Sequence, residues 1–257
     1  MAQCRPEKEK PGNFAATMTF DVTIPVLNEE TTLDQQIRTI HHFLWEHFPE
    51  KNQWKIIIAD NGSSDNTRHI AAALADELPG VYLVTVPEKG VGLALKTSWT
   101  QSTADIVGYM DLDLATDLRH FPQAYNAIAS EGFDLVYGTR LHSKSKVIGR
   151  TLKREITSRI FNLMLKIYLG TRFSDGMCGF KWLKREHLPM LMEGGAVSNG
   201  WFFSTELLAI AEWKGLKMCE LPVIWTDDTS SSRVNIPRLA RQYIAAMQVL
   251  KHRKSGR

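Results

Sequence analysis

The sequence predicts an α/β domain with a mostly parallel central sheet flanked by helices. Two patterns carry that expectation. Apolar strand-like runs alternate with segments of helical periodicity, the signature of a repeated β-α unit. Four consecutive runs also end in polar or glycine-rich residues, and in open sheets of this kind ligands bind at the carboxyl ends of the strands.

The elements follow in order. Residues 1–17, polar and broken by Pro6, Pro11 and Gly12, read as a flexible leader. The domain spans 18–235 and opens with TFDVTIPV, a helix over 31–47 and KIIIAD. A helix over 66–77, the run VYLVTV, a helix over 91–102 and DIVGYM come next, then a helix over 119–130 and FDLVYG. Residues 236–257 read as a basic amphipathic helix and tail.

Composition excludes whole classes of protein. With 257 residues, 44% hydrophobic and 23% charged, the chain is neither disordered nor fibrous and can bury a sizeable core. No run reaches the roughly 18 apolar residues of a bilayer-spanning helix, and the opening residues lack the apolar stretch of a secretory signal. The expected location is cytoplasmic, with a peripheral place on the cytoplasmic face of a membrane as the alternative. Cys4, Cys178 and Cys219 have no C-x-x-C spacing and read as reduced thiols. The formal charge of +3 conceals a division. Residues 1–130 carry 10 Lys+Arg and 17 Asp+Glu, net −7, and residues 131–257 carry 21 and 11, net +10. Such a C-terminal half suits an anion, whether nucleic acid, membrane headgroups or a phosphorylated substrate.

The strand ends hold the candidate chemistry. Asp111-Leu112-Asp113 follows DIVGYM. In an extended segment residues i and i+2 point the same way, so both carboxylates can face one divalent cation, or one can bind metal while the other holds a sugar hydroxyl. Oxygen ligands with no His or Cys nearby favour Mg2+ or Mn2+ over zinc. At the other strand ends Asn61-Gly62 also fits a plain turn, Asp65 a helix N-cap, and Gly90 and Gly92 a tight connection.

The segments IPVLNEE, ADNGSSD, KGVGLALK, MDLDLATD, YGTRL, CGFKWLKRE and WFFSTELL, in this order and spacing, resemble the family 2 glycosyltransferases. Within them the chain is most similar to the polyprenyl-phosphate and dolichyl-phosphate hexosyltransferases, over residues 19–235. The resemblance implies a Rossmann-like GT-A fold in a single domain. It also implies inverting transfer of a hexose from a nucleotide-diphosphate sugar to a polyprenyl phosphate. Pro25, Leu27 and Glu29 fall in the segment that lines the nucleoside pocket. Asp60 matches the first acidic residue of the family's D-D-G-S segment, and Asn61 departs from the second. An amide oxygen satisfies the single N–H of uracil, whereas the adjacent N–H groups of guanine match a carboxylate better, which favours UDP-glucose over GDP-mannose. Lys89 and Gly90 fall where a basic residue precedes G-x-G near the base or diphosphate. Asp111 and Asp113 match the D-x-D motif that holds Mg2+ or Mn2+ at the diphosphate, and Asp113 counts among the catalytic residues.

The same resemblance sets Arg140 and Arg154 at the acceptor phosphate, and makes Arg233 part of a Ser-Arg pair that closes over phosphates. An ionised lipid phosphate needs orientation, not deprotonation. A hydroxyl acceptor would need a base, and Glu206 and Asp175 are the candidates. Residues 150–169 and 236–254 place apolar side chains at helical spacing among Lys and Arg, which suits a membrane surface or a core-facing helix alike. Many relatives carry hydrophobic spans, so a separate membrane-anchoring protein joins the expected partners. Trp182, Trp201, Trp213 and Trp225 suit either the core or sugar stacking. The rival readings are a hydroxyl-acceptor glycosyltransferase, a nucleotide-sugar-binding pseudoenzyme and a nucleic-acid-binding protein. No finger, RNA-recognition or helix-turn-helix signature supports the last.

Overall fold

Alternation along the strands puts apolar side chains on both faces of one sheet, and helices cover both. The computed structural model describes residues 2–3, 18–50, 52–227 and 236–255. The strands are β1 (Ala2–Gln3), β2 (Phe20–Val26), β3 (Trp54–Asp60), β4 (Val81–Thr85), β5 (Ile106–Met110) and β6 (Leu135–Thr139), with β8 (Phe180–Lys184) and β9 (Met218–Pro222) later in the chain. They form one sheet in the order β1-β9-β6-β8-β5-β2-β3-β4. Neighbours are parallel except β8, which runs antiparallel to both β5 and β6. Two short strands, β7 (Lys146–Ile148) and β10 (Ile224–Thr226), pair in parallel apart from it.

The helices are α1 (Leu33–His47), α2 (Thr67–Glu77), α3 (Val91–Gln101), α4 (His120–Ala129), α5 (Leu152–Leu169), α6 (Leu188–Gly194), α7 (Phe203–Trp213) and α8 (Ile236–Ser255). The strand β5 shows the division of the core. Its Ile106 and Met110 join α1, α2 and α4 in one apolar cluster, while Val107 and Tyr109 join α3, α5, α6, α7 and α8 in the other. Helix α5 starts at Thr151, whose side chain accepts from Arg154 N–H, and stops at Gly170 in the left-handed region.

The mostly parallel sheet is as expected, and each expected element from 19 to 138 is present. Three expectations change. Ala2–Gln3 pairs with β9, so the expected leader begins on the sheet edge, and residues 4–17 lie outside those described. Cys178 is a buried thiol, but Cys219 is disulfide-bonded, against the expectation of a reduced thiol there. Trp182 is fully buried in the core and Trp201 is exposed, so of these two only Trp201 is placed to meet a ligand. Among the described residues, no helix is long and apolar enough to cross a membrane.

Candidate active site

A cleft of about 610 Å³ opens at the carboxyl ends of β2, β3 and β5. Pro25, Leu27, Glu29, Asn61, Lys89, Gly90, Asp111 and Asp113 all line it, so eight of the expected residues share one wall system with Trp201 and Gly200. The turn after β2 passes through Asn28 at φ 57, a left-handed conformation that Asn tolerates. Asn28 Oδ1 accepts from Ser64 N–H and Asn28 N–H donates to Ser63 Oγ, lacing the β2 and β3 ends together. Asn61 ties the same strands to the glycine loop. Its Nδ2 donates to Val26 O (2.8 Å), and its Oδ1 accepts from Gly90 N–H (3.2 Å).

Asp60 lies beneath this wall. Fully buried, it accepts from Ser63 N–H and pairs with Arg68 at 2.9 Å, and it does not line the cleft. The spacing of Gly90 and Gly92 has a steric cause. A Cβ at either would fall less than 3.0 Å from backbone oxygen of the loop over 198–200. That loop, which carries Trp201 to the cleft, therefore packs directly on the start of α3.

Glu206 holds the loop in place. Its Oε2 accepts from Val197 N–H (3.0 Å) and Ser198 N–H (2.8 Å), and its Oε1 from Ser198 Oγ (2.5 Å). Lys96 Nζ donates to Val197 O and Asn199 Oδ1 from the other side. Glu206 is buried and does not line the cleft, so both of its oxygens serve the loop and neither is free to take a proton from substrate.

Asp111-Leu112-Asp113 is not extended. Strand β5 ends at Met110, and the chain turns, with Leu114 in the left-handed region at φ 54. Asp113 Oδ1 caps this turn by accepting from Ala115 N–H (3.0 Å). Both carboxylates still line the cleft. Asp111 Oδ1 is buried without a hydrogen-bond partner. Burial, then the charge of Asp113, push the Asp111 carboxyl up to about 7, while Lys181 and Arg140 pull the other way. Gly179 presses on this group. A Cβ there would fall less than 3.0 Å from Cγ and both carboxyl oxygens of Asp111.

Sequence reasoning missed two residues that support Asp111. Gly179 sits in the CGFK run, where nothing in the spacing reveals its neighbour. Lys181, in the middle of β8, is fully buried, and burial draws its ammonium down to about 8. Its Nζ donates to Cys178 O (2.5 Å) and lies 3.3 Å from Gly176 O.

The basic residues gather on the far side. Arg140, at the end of β6, forms a bidentate pair with Asp175, Nε to Oδ2 at 2.8 Å and Nη2 to Oδ1 at 3.0 Å. Burial would raise the Asp175 carboxyl, but the charge and hydrogen bonds of Arg140, with Met177 N–H, hold it at about 2. It is thus an ionised partner and no base near neutrality. Arg154 Nη1 pairs with Asp227 Oδ1 at 2.5 Å. Arg150, one of the basic residues of the 150–169 segment, has a nearly buried side chain, and its Nε has no hydrogen-bond partner. The guanidiniums of Arg140 and Arg150 lie 5.3 and 5.7 Å from the Trp225 ring centre. Trp225 in turn bridges to Thr116 in the segment just after Asp113, joining the basic cluster to the acidic turn. Arg233 lies outside the described residues.

An acidic turn and a glycine-bounded helix start thus share one cleft, with basic residues behind. Residues 21–190 match the family described as glycosyl transferase family 2, and the chain belongs to it. It is 30% identical to glycosyltransferase AglD of Haloferax volcanii over 91% of this chain, but spans only 37% of that protein's length. It is 26% identical to dolichyl-phosphate beta-glucosyltransferase ALG5D of Trichomonas vaginalis, over 88% of this chain and 71% of that one. The fold matches glucosyl-3-phosphoglycerate synthase from Mycobacterium tuberculosis in complex with Mn2+, uridine diphosphate and glucosyl-3-phosphoglycerate. That match has a TM-score of 0.68 at 22% identity, over 96% of this chain and 87% of that one.

Two outcomes follow from the geometry. Gly179→Ala displaces the Asp111 carboxylate, so the affinity for uridine diphosphate in the presence of Mn2+ falls about 10–100-fold. Added to Asp111→Ala, the same change has no further effect in a double-mutant cycle read by calorimetry. Glu206→Ala leaves the Val197 and Ser198 N–H groups without their acceptor and loosens the Trp201 loop. The KM for the sugar nucleotide should rise about tenfold with the pH profile of kcat unchanged. A lost limb of that profile at constant KM would instead make Glu206 a base.

Proposed function

We propose that this chain transfers a hexose from a uridine diphosphate sugar, glucose in the first instance, to the phosphate of a polyprenyl or dolichyl lipid, with inversion. The observation that carries the acceptor class is the state of the two candidate bases. Asp175 is committed to Arg140 and Met177 N–H, and Glu206 to Val197 and Ser198. A hydroxyl acceptor needs a free base, and neither group is one. A phosphate monoester, with its second pKa near about 6, is already nucleophilic at neutral pH. The names of the dolichyl-phosphate relatives support the same acceptor.

In this reading an oxygen of the lipid phosphate attacks the anomeric carbon as the bond from that carbon to the diphosphate oxygen breaks. The products are the glycosyl phospholipid and the nucleoside diphosphate. Pro25, Leu27, Glu29 and Lys89 receive the nucleoside. Asn61 Oδ1, already accepting from Gly90, keeps a second lone pair for the uracil N–H. Asp111 and Asp113 hold Mg2+ or Mn2+, which when bound neutralises charge on the leaving diphosphate. The residues fit such a cation because Asp111 Oδ1 is a buried oxygen that nothing else satisfies. Among the described residues no group of three His, Cys, Asp or Glu surrounds a metal, so the remaining ligands would be diphosphate oxygens and water. Arg140 and Arg154, oriented by Asp175 and Asp227, direct the incoming phosphate, and the unpartnered Arg150 Nε offers it a donor.

The test is direct. Incubate the protein with Mg2+ or Mn2+, a panel of uridine and guanosine diphosphate sugars, and in parallel a short polyprenyl phosphate, a simple glycoside and 3-phosphoglycerate. Mass spectrometry should find the glycosyl phospholipid, made fastest from UDP-glucose. Product from the glycoside or 3-phosphoglycerate with none from the lipid phosphate would overturn the assignment.

A further inference from the structure

Helix α5 carries its apolar residues on the wrong side for a core helix. At 100° per residue, Leu152, Ile156, Ile160, Leu163 and Ile167 fall within an arc of about 80°. Their exposures are 74, 48, 54, 55 and 77%. The residues that α5 does bury, Asn162, Leu165 and Leu169, fall on nearly the opposite side of the helix. The stripe therefore faces away from the protein along the whole 18-residue helix. A contiguous apolar face of this length marks an interaction surface.

Three further observations say what covers it. Lys153, Arg159 and Lys166 are exposed and flank the stripe. The only acidic residue of α5, Glu155, is paired with Arg150 and Arg159. Helix α8, which packs against α5, has no acidic residue and adds exposed Ile244 beside it. Where α5 meets α8, Ile167, Tyr168 and Ile244 help line an apolar groove of about 300 Å³. Finally, the stripe begins at Leu152, so its N-terminal end is next in sequence to the arginine cluster, with Arg154 itself on the opposite, protein-facing side of the helix. Two copies of so basic a face would repel each other, whereas anionic headgroups above an apolar interior complement both of its features.

We infer that the exposed face of α5, continued by α8, docks on an anionic lipid bilayer, with the helix lying in the plane of the interface. Docked in this way, the protein brings the N-terminal end of α5, beside the cluster of Arg150 and Arg154, close to the headgroups that carry the phosphate of a membrane-dissolved acceptor. The inference extends the proposed acceptor reading, but its test needs neither donor nor acceptor, so failure of transfer and failure of docking are separate results.

The full chain is floated with vesicles of phosphatidylcholine and with vesicles of phosphatidylcholine and phosphatidylglycerol, while sedimentation equilibrium follows its mass without lipid. The parent should float with the mixed vesicles and bind them far better than the zwitterionic ones. Lys153→Glu with Lys166→Glu should weaken that binding at least tenfold, by the order of one proton charge's headgroup attraction per residue. Ile160→Glu with Ile167→Glu should abolish it at unchanged melting temperature and unchanged affinity for uridine diphosphate. Ile160→Ser with Ile167→Ser gives the same reading should the glutamates unfold the helix. Equal binding to both vesicle types, no flotation of the parent, or variants that bind like the parent would overturn the inference. A lipid-free dimer lost in the Ile160→Glu, Ile167→Glu variant, without vesicle binding, would assign the face to a second copy instead.

Discussion

The carboxylate of Asp111 is the constraint on which the site depends. It is packed at the end of a central strand with Oδ1 buried and unsatisfied, and its carboxyl is pushed up to about 7. An unpaired buried polar group costs on the order of 1–3 kcal/mol, more when charged. The surrounding architecture moderates that cost without removing it. The antiparallel strand β8 enters between β5 and β6 and brings Gly179 against the carboxylate and Lys181 into the core nearby. The left-handed turn at Leu114 brings Asp113 to the same cleft. Such an arrangement is poorly satisfied by the chain alone, and in the proposed function a cation with a diphosphate would complete it.

The acidic cleft and the basic cluster are mechanically joined. The turn after Asp113 reaches β10 through the Thr116 to Trp225 bridge, and Trp225 lies beside the guanidiniums of Arg140 and Arg150. On the other side, the loop that carries Trp201 is pinned by Glu206 and Lys96 against the glycines at the start of α3. Charged groups that a sequence offers as catalysts are here spent on holding the walls of the cleft. That division supports the proposed reading, in which orientation and electrostatics, rather than proton abstraction, carry the transfer.

Much of this was legible in the sequence. The period-two and helical patterns marked β2 to β6 and α1 to α4 because each element packs one clear apolar face on its neighbour. The polar strand ends marked one wall of the cleft because, in a parallel sheet, the residues just after the strands gather at one edge. Strand β8 was not legible, since a lysine in its centre reads as a surface residue until Tyr109 and two backbone carbonyls are seen around it. Glu206 was misread because its partners are mostly backbone N–H groups, which leave no trace in side-chain patterns. Asp60 matched a motif yet serves Arg68 and Ser63 from below. The stripe on α5 was visible as a pattern, but which way it faced could be decided only by packing. The charge division, −7 against +10, has a counterpart in space: acidic residues at the cleft, and basic ones around Trp225 and along α5 and α8.

The most direct test of the central claim is the proton balance when Mg2+ and a uridine diphosphate sugar bind together. The diphosphate of such a sugar has no proton to lose near neutrality, and calorimetry in buffers of different ionisation enthalpy counts the protons set free. A carboxyl that titrates near about 7 without cation is partly protonated there and must release its proton on binding. The account predicts release at neutral pH that fades as the pH rises above that value and is absent in Asp111→Asn. The same proton balance in the parent and in Asp111→Asn across the whole range would contradict it.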